Sequence, residues 1–161
     1  MKIIGNKQTL AALNAWSDTF VKRLQVELQN QGINASGNLS NSLEYVITNE
    51  GDGTHIQILA DPYFFYAEHG RRAGKVPYLF ADILAEWAQD KQIQLPNKFK
   101  DYKQFGWAIA QKIRYYGSRR YREKDPADVV QPVADEMIPR LNDILENRVL
   151  YYVNDNLFSW V

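Results

Sequence analysis

Apolar residues recur at spacings of three and four positions through the first long segment of the chain. Between residues 8 and 31 they are Leu10, Leu13, Trp16, Phe20, Val21, Leu24 and Leu28. This period places apolar side chains along one face of a helix. The segment contains no proline, and Gly32 stands where a left-handed C-terminal cap would end the helix. The pattern therefore predicts a long N-terminal helix over residues 8–31.

Alternation replaces the helical period after a small, polar segment at residues 33–42, which is predicted to be a loop or a single helical turn. Alternate positions are then occupied by Leu43, Tyr45 and Ile47, and later by Ile56, Ile58 and Ala60. Gly51-Asp52-Gly53 supplies turn residues between the two runs, so we predict a β-hairpin. Because two strands alone are marginally stable, the hairpin should lie on the long helix, gain a third strand or join a sheet with another subunit.

Three further helices are predicted from apolar spacing and from proline, aspartate and glycine at their ends, over residues 77–91, 101–116 and 125–148. Residues 70–77 and 118–124 are rich in cations and are predicted to be irregular, the first as a mobile loop that becomes ordered at an interface. The aromatic segment 149–161 fits three structures: a continued helix, a strand beside the hairpin, or an anchor for a partner.

The composition is that of an ordinary globular protein with a hydrophobic core. With 161 residues and 45% hydrophobic residues, the chain is predicted to form a single α+β domain over residues 1–161, with residues 149–161 as a tail or interface segment. The absence of cysteine excludes disulfides, thiolate zinc sites and cysteine nucleophiles. We also expect no membrane association and a cytoplasmic location, because neither a signal-like N-terminus nor a long apolar run is present.

Charge is balanced overall but unevenly distributed. The chain has 19 Lys and Arg residues against 19 Asp and Glu residues. The net charge is −1 for residues 1–60 (4 basic, 5 acidic), +5 for 61–125 (13 basic, 8 acidic) and −4 for 126–161 (2 basic, 6 acidic). Internal salt bridges would explain this distribution, and on charge alone they are the simpler explanation. Subunits that meet basic surface to acidic surface would explain it as well.

Residues that could catalyse a reaction or hold a metal occur in patterns with a simpler explanation. His55 and His69 are fourteen positions apart and form no H-x-x-x-H pair. A two-metal nuclease could use Asp52, Asp61 and Glu68, but the two aspartates stand where turns need them. The sequence has no nucleophile motif or complete phosphate loop. We therefore expect no catalytic residue, no metal and no cofactor.

One basic segment suggests an alternative, nucleic-acid binding. Residues 98–124 contain nine Lys and Arg residues against two acidic residues, with Tyr102, Tyr115, Tyr116 and Tyr121 among them. Cations could contact phosphates and tyrosines could stack on bases. No fingerprint of a known binding module accompanies them, and the exposed face of a helix normally carries charge. DNA contact is therefore the less favoured interpretation.

Two short motifs flank the predicted hairpin: Ser36-Gly37-Asn38-Leu39-Ser40-Asn41-Ser42-Leu43 before it and Pro62-Tyr63-Phe64-Phe65-Tyr66-Ala67-Glu68-His69-Gly70 after it. The arrangement resembles the tail-completion, or head-tail joining, family of minor tail proteins of long-tailed bacteriophages and prophages. That family has T/S-G-x-L-x-x-S-I/L before its strands and P-Y-A-x-Y-v-E-x-G after them. The matching residues are Gly37, Leu39, Ser42, Leu43, Pro62, Tyr63, Tyr66, Glu68 and Gly70.

The resemblance covers residues 8–148 in the order of elements, but only the two motifs in sequence. Phe64 replaces a usually small residue and His69 a usually aromatic one, and the family's segment before the last helix is poorly kept in residues 117–126. The motif residues are expected to hold the fold and not to bind a partner. Glu68 would pair with Arg71 or with backbone at a bend that ends at Gly70.

The resemblance implies a structural virion protein without enzymatic activity. Such a protein would assemble as a ring of identical copies at the neck, between the head connector and the tail tube or tail terminator. It would be found in the virion, and in the host bacterial cytoplasm during assembly. The nucleic-acid interpretation through residues 98–124 and the metal-dependent nuclease remain as alternatives.

The contacts between subunits are predicted from charge and from exposed aromatic residues. A closed ring requires each copy to present one surface to a different surface of the next. The candidate interface residues are the basic Arg71, Arg72, Lys75, Arg119, Arg120 and Arg122, the acidic Asp135, Glu136, Asp143 and Glu146, and the aromatic Phe158 and Trp160.

Overall fold

A long N-terminal helix, a pair of antiparallel strands and further helices make up the protein. The computed structural model describes residues 7–33, 37–50 and 53–157. Within them the elements are α1 (Lys7–Asn30), α2 (Asn38–Asn41), β1 (Glu44–Glu50), β2 (Gly53–Leu59), α3 (Tyr63–His69), α4 (Phe80–Asp90), α5 (Tyr102–Tyr116), α6 (Arg119–Glu123) and α7 (Val130–Leu157). The predicted α+β class is therefore confirmed.

The four longest helices lie where the sequence predicts them, with shifted ends. Helix α4 begins at Phe80, after a turn in which the Phe80 amide donates to the Pro77 carbonyl oxygen over 3.1 Å. Helix α7 begins at Val130, five residues later than predicted, and continues through Pro139 to Leu157. Of the three structures predicted for residues 149–161, the continued helix is the one observed as far as Leu157. Phe158 and Trp160 lie outside the described residues.

Two short helices were not predicted. Helix α3 occupies the aromatic run of the second motif. The prediction that residues 118–124 are irregular is wrong, because residues Arg119–Glu123 form helix α6. Ser118 caps this helix by accepting a hydrogen bond from the Tyr121 amide, and Lys124 ends it in a left-handed conformation with φ 52°.

The strands β1 and β2 form the predicted antiparallel pair, with Tyr45 opposite Ile58 and Ile47 opposite Ile56. Exposure alternates along β2, so that Ile56 and Ile58 belong to the half-buried face. The Tyr45 hydroxyl lies 3.4 Å from Oδ1 of Asn14 in α1. Of the three supports considered for the hairpin, contact with the long helix is therefore the one observed in this part of the chain.

Residue contacts divide the chain into two units, each built from separate segments of sequence. The first is drawn from residues 1–27, 43–59 and 129–161, and the second from 28–42 and 60–128. In the first unit, α1 contributes buried apolar residues from its predicted stripe, and α7 contributes Val133 and Met137. The indole nitrogen of Trp16 donates to the Met137 carbonyl oxygen over 2.8 Å. The prediction of a single domain is not tested by this division and stays a prediction.

Small residues allow α4 and α5 to approach closely in the second unit. A Cβ atom added to Gly106 of α5 would lie 2.7 Å from the Ala85 amide nitrogen of α4, and it would also meet the Ala81 carbonyl oxygen. Ala88 and Ala110 are buried in the same pair of helices. Because the backbones themselves are in contact, this pair cannot accept a larger residue at position 106 without moving apart.

We expect Gly106→Ala to destabilise the protein, although alanine normally stabilises a helix interior by about 0.5–1 kcal/mol relative to glycine. The added methyl group would press on α4 backbone, and such overpacking typically costs about 1–3 kcal/mol. The free energy of unfolding, measured by urea denaturation, should therefore decrease. An unchanged or higher value would show that the helices separate easily and that the close approach is not required.

Candidate functional site

The two family-like motifs are joined through one serine hydroxyl. Ser42 Oγ donates to the Leu39 carbonyl oxygen over 2.8 Å and accepts a hydrogen bond of 3.1 Å from the Asp61 amide. Gly37 precedes α2 with φ 86°, a left-handed conformation that favours glycine. Leu39 and Leu43 of the same motif are both buried. Ser42 of the first motif therefore holds Asp61, the residue directly before the second motif, in position.

Asp61 organises the first turn of α3. Its Oδ1 accepts a hydrogen bond of 2.7 Å from the Tyr63 amide, and its carbonyl oxygen accepts one of 2.8 Å from the Phe64 amide. Pro62 stands between them, where its fixed φ suits a helix start. Asp61 thus has the turn-forming role that the sequence favoured over a metal-binding one.

Glu68 is buried near the end of α3. Its carbonyl oxygen accepts a hydrogen bond of 2.8 Å from the Ala127 amide, and its carboxylate Oε2 lies 3.6 Å from Nδ1 of His69. Nη2 of Arg71, the partner considered for Glu68, donates to the Lys75 carbonyl oxygen over 3.1 Å. The backbone of Glu68 therefore joins the end of α3 to Ala127, and the two partners predicted for its carboxylate stay predictions.

Gly70 and Gly117 let two loops lie backbone to backbone. The Arg71 amide donates to Ser118 Oγ, and the Ser118 amide donates to the Arg71 carbonyl oxygen, each over 2.8 Å. A Cβ atom on Gly70 would lie 2.5 Å from the Tyr121 nitrogen and 2.6 Å from Ser118 Oγ. One on Gly117 would lie 3.0 Å from the Arg71 carbonyl oxygen. The glycine of the second motif is thus explained by close approach as well as by its φ of 79°.

These bonds also restrain the loop that was predicted to be mobile. The Gly74 amide donates to the Arg114 carbonyl oxygen over 2.9 Å, in addition to the pair of bonds at Arg71. Residues 71–74 are therefore held against the end of α5 and the start of α6. The prediction that residues 70–77 are mobile in the isolated protein stays a prediction.

An open apolar pocket of about 240 Å³ lies between α3 and α4 in the second unit. Its lining is almost wholly apolar and consists of Pro62, Tyr63, Tyr66, Arg71, Pro77, Phe80, Ile83, Leu84, Ile113 and Ser118. Three motif residues, Pro62, Tyr63 and Tyr66, are among them. The expectation that motif residues only hold the fold is therefore incomplete, because these three also form a surface that a ligand can reach.

Arg71 provides the charge in the wall of this pocket. The central carbon of its guanidinium lies 4.8 Å from the centroid of the Tyr66 ring and 5.2 Å from that of Phe80. Both distances fall within the range of cation–π attraction. The bonds to Ser118 hold the Arg71 backbone, and the two rings and the Lys75 carbonyl oxygen hold its guanidinium, so the pocket combines an apolar cavity with one positioned cation.

Several large apolar side chains on α3, on α4 and in the turn before α4 are exposed to solvent. Tyr78 is 98% exposed, and Leu79 and Ile83 are also exposed, as is Phe65 on α3. Leu79 and Ile83 belong to the apolar residues of the predicted helix 77–91, and both are exposed. Their stripe is wider than the single helix α5 can cover, and that width is the signal in the sequence from which the surface could have been found.

Tyr63 and Arg120 interact electrostatically beside the pocket. Burial raises the pKa of the Tyr63 phenol above its ordinary value, and the positive charge of Arg120 partly opposes that shift. Nη1 of Arg120 donates to the Ala67 carbonyl oxygen over 3.0 Å. This candidate interface cation is therefore used within the second unit to hold the end of α3.

Several other interface candidates are also engaged locally. Arg119 pairs with Glu123 over 2.8 Å, Glu136 pairs with Arg140 over 2.8 Å and also with Arg23, and Asp135 accepts a hydrogen bond of 2.7 Å from Gln131. Arg119 and Asp135 are exposed, and so are the further candidates Arg72, Lys75, Arg122, Asp143 and Glu146. The basic members of this set belong to the second unit and the acidic members to the first.

Exposed aromatic residues accompany the basic segment 98–124. Trp107, Tyr115, Tyr116 and Tyr121 are exposed, and Lys98 and Arg114 lie over the rings of Phe99 and Tyr115 at 5.0 and 5.9 Å. Because stacking on bases needs exposed rings among cations, this arrangement retains nucleic-acid binding as an alternative.

The described part of the chain shows neither a cluster of metal-ligating side chains nor a membrane-spanning helix. Within residues 7–33, 37–50 and 53–157, no three His, Asp or Glu side chains lie together as a metal site would require. None of the described helices is both long enough and apolar enough to cross a bilayer. Asp52, one of the three carboxylates considered for a nuclease, lies outside the described residues.

We expect Gly70→Ala to destabilise the protein more than Gly32→Ala. Both glycines have positive φ, 79° and 64°, but a Cβ atom on Gly32 would meet nothing within 4 Å. Gly32→Ala, the control, should therefore lower the free energy of unfolding only by the cost of a left-handed alanine, about 1–2 kcal/mol. Gly70→Ala adds a steric clash, so its total loss should be roughly 2–4 kcal/mol. Equal losses in urea denaturation would contradict the proposed close approach to Ser118.

We expect Arg120→Gln to raise the pKa of Tyr63 further, because the opposing positive charge is removed. The matched variant Arg120→Lys keeps the charge and should shift the pKa less. Because the folded-state pKa lies above the ordinary value of 10.0, this group's contribution to stability is present below that pH and is lost as pH rises. NMR titration of the Tyr63 ring carbon would measure the shift, and a lowered pKa in Arg120→Gln would contradict the assignment.

Comparison with known proteins identifies no relative. No protein-family model, curated protein or solved structure matches the chain. The likeness to phage tail-completion proteins therefore rests on the residues of the two motifs alone.

Proposed function

We propose that this protein is a structural subunit of a bacteriophage or prophage neck, where copies join in a ring between the head connector and the tail. The observation that carries the proposal is the exposed apolar surface around the second motif. Soluble monomers rarely expose large contiguous apolar patches, and such patches commonly mark protein–protein interaction sites. A virion component that functions only by binding its neighbours needs such a patch and needs no catalytic group.

The distribution of exposed charge supports contacts between unlike surfaces. Arg72, Lys75 and Arg122 are exposed in the second unit, and Asp143 and Glu146 are exposed on α7 of the first. A ring closes through heterologous contacts, in which one surface of a copy meets a different surface of the next. Exposed ion pairs contribute only about 0–1 kcal/mol each, so they would set the register while apolar burial provides the affinity.

Assembly in order requires that the isolated protein associates weakly. A neck component that polymerised freely would form rings before the head connector was ready. We therefore expect the isolated protein to be mainly monomeric at physiological salt, and the ring to be stable only on its partners, the head connector and the tail tube or tail terminator.

Nucleic-acid binding is a second candidate because four exposed aromatic rings lie among the cations of residues 98–124. In this case the affinity for DNA should fall steeply with salt, as counterion release requires. The cations Lys103 and Lys112 on α5 are exposed and would be part of such a surface.

Two double variants separate these candidates. Arg72→Glu with Lys75→Glu reverses charge beside the apolar pocket, and the control Lys103→Glu with Lys112→Glu makes the same change in charge on α5. If the protein is a neck subunit, the first variant should lower its incorporation into purified tailed particles several-fold, because like charges would then repel at a repeated contact. The control should incorporate normally. Quantitative mass spectrometry of particles from a complemented deletion strain measures both.

Other outcomes would reject one candidate or both. If wild-type protein does not copurify with tailed particles, the neck function is wrong. If the control variant alone is defective, and its salt-dependent DNA binding is lost, the nucleic-acid function is favoured. If both variants incorporate normally, the basic surface does not contribute to the subunit contact.

A further inference from the structure

We propose that the pocket between α3 and α4 receives an apolar side chain from residues 149–161 of a neighbouring copy, with Asp155 of that copy placed against Arg71. The inference rests on the proposed ring assembly for its choice of occupant. It adds to the proposed function by assigning the pocket as the binding site, residues 149–161 as the segment that binds there, and Arg71 as the cation that recognises this segment.

The size and openness of the pocket favour a side chain over a whole small molecule. Its volume is about 240 Å³, below the range of about 300–1,000 Å³ that is usual for small-molecule sites. Protein interfaces commonly place one or two aromatic or aliphatic anchors in pockets of this kind, where they account for much of the binding energy. Tyr63, Tyr66 and Ile83 line the pocket and are partly exposed, so they would contact the anchor and exclude water from it.

The fixed guanidinium favours an occupant that also carries one carboxylate. Arg71 stacks on Tyr66 and Phe80 and uses Nη2 for the Lys75 carbonyl oxygen. A guanidinium has five N–H donors in a planar fork, so the remaining donors can hold a carboxylate at the pocket. Attraction between the two charges is stronger here than on an open surface because the surrounding wall is apolar.

The segment 149–161 has the matching composition. It contains Tyr151, Tyr152, Leu157, Phe158 and Trp160, a single acidic residue, Asp155, and no basic residue. It also belongs to residues 126–161, which carry a net charge of −4, whereas the pocket lies within residues 61–125, which carry +5. Placing the segment on the next copy satisfies the heterologous contact that a ring requires.

The test uses the protein of residues 1–161 labelled with ¹⁵N and a synthetic peptide of residues 149–161. We expect saturable shifts of the Arg71, Ile83 and Ser118 amides, and binding weakened roughly tenfold or more by Ile83→Arg, which fills the pocket mouth. Ile138→Arg is the matched control, because Ile138 of α7 is 49% exposed and Ile83 is 48% exposed, and it should bind the peptide as wild type does.

Peptide variants keep the proposal falsifiable even if Ile83→Arg fails to fold. Asp155→Lys in the peptide should abolish binding to wild-type protein and should restore it to an Arg71→Glu protein. No saturable shift with the wild-type peptide, or equal binding of wild-type and Asp155→Lys peptides, would overturn the proposal.

Particle incorporation separates this inference from the function on which it rests. Peptide binding at the pocket by a protein that is absent from tailed particles would leave the pocket assignment standing and reject the neck function. If the protein is present in particles but its pocket does not bind the peptide, the neck function stands and the pocket assignment is rejected.

Discussion

The backbones of residues 70–74 and 117–121 lie in contact, and the surface around the second motif depends on that approach. Gly70 and Gly117 have nearly the same conformation, with φ 79° and 78° and ψ near 170°, a region that only glycine occupies readily. A Cβ atom on either would meet the opposite segment. Ser118 then bonds to both the amide and the carbonyl oxygen of Arg71. Without that approach Arg71 would be a mobile surface cation and the pocket would lose one wall.

The long elements could be predicted from the sequence because each repeats its pattern several times. Helix α1 has more than six turns over which apolar residues recur, and the strands show a period of two with turn residues between them. Helices α3 and α6 have seven and five residues, too few for a period to emerge. Their stability comes from partners distant in sequence, such as the bond from Arg120 to Ala67. The pattern of apolar residues within one short segment does not show which distant residues will contact it.

The sequence predicted the structural roles of the motif residues at the candidate site, but it did not predict the pocket. The motif residues were expected to be structural, and Gly37, Ser42 and Gly70 have clear roles in turns and close contacts. The sequence could not show that Pro62, Tyr63 and Tyr66 would also line a pocket, because the opposite wall comes from Phe80 and Ile83, about twenty positions later. Nor could charge counting distinguish Arg120, which holds α3, from Arg72, which is exposed.

The overlap between fold and surface explains why a short motif can be informative about assembly. Tyr66 packs against Arg71 and also faces the pocket, so a change at this residue alters both the position of the cation and the shape of the receiving surface. If this surface is the proposed interface, it is preorganised, because the rings and the guanidinium are already packed before a partner arrives and less conformational entropy is lost on binding. In the proposed ring each contact could remain small, because closure would make every copy bind two neighbours at once.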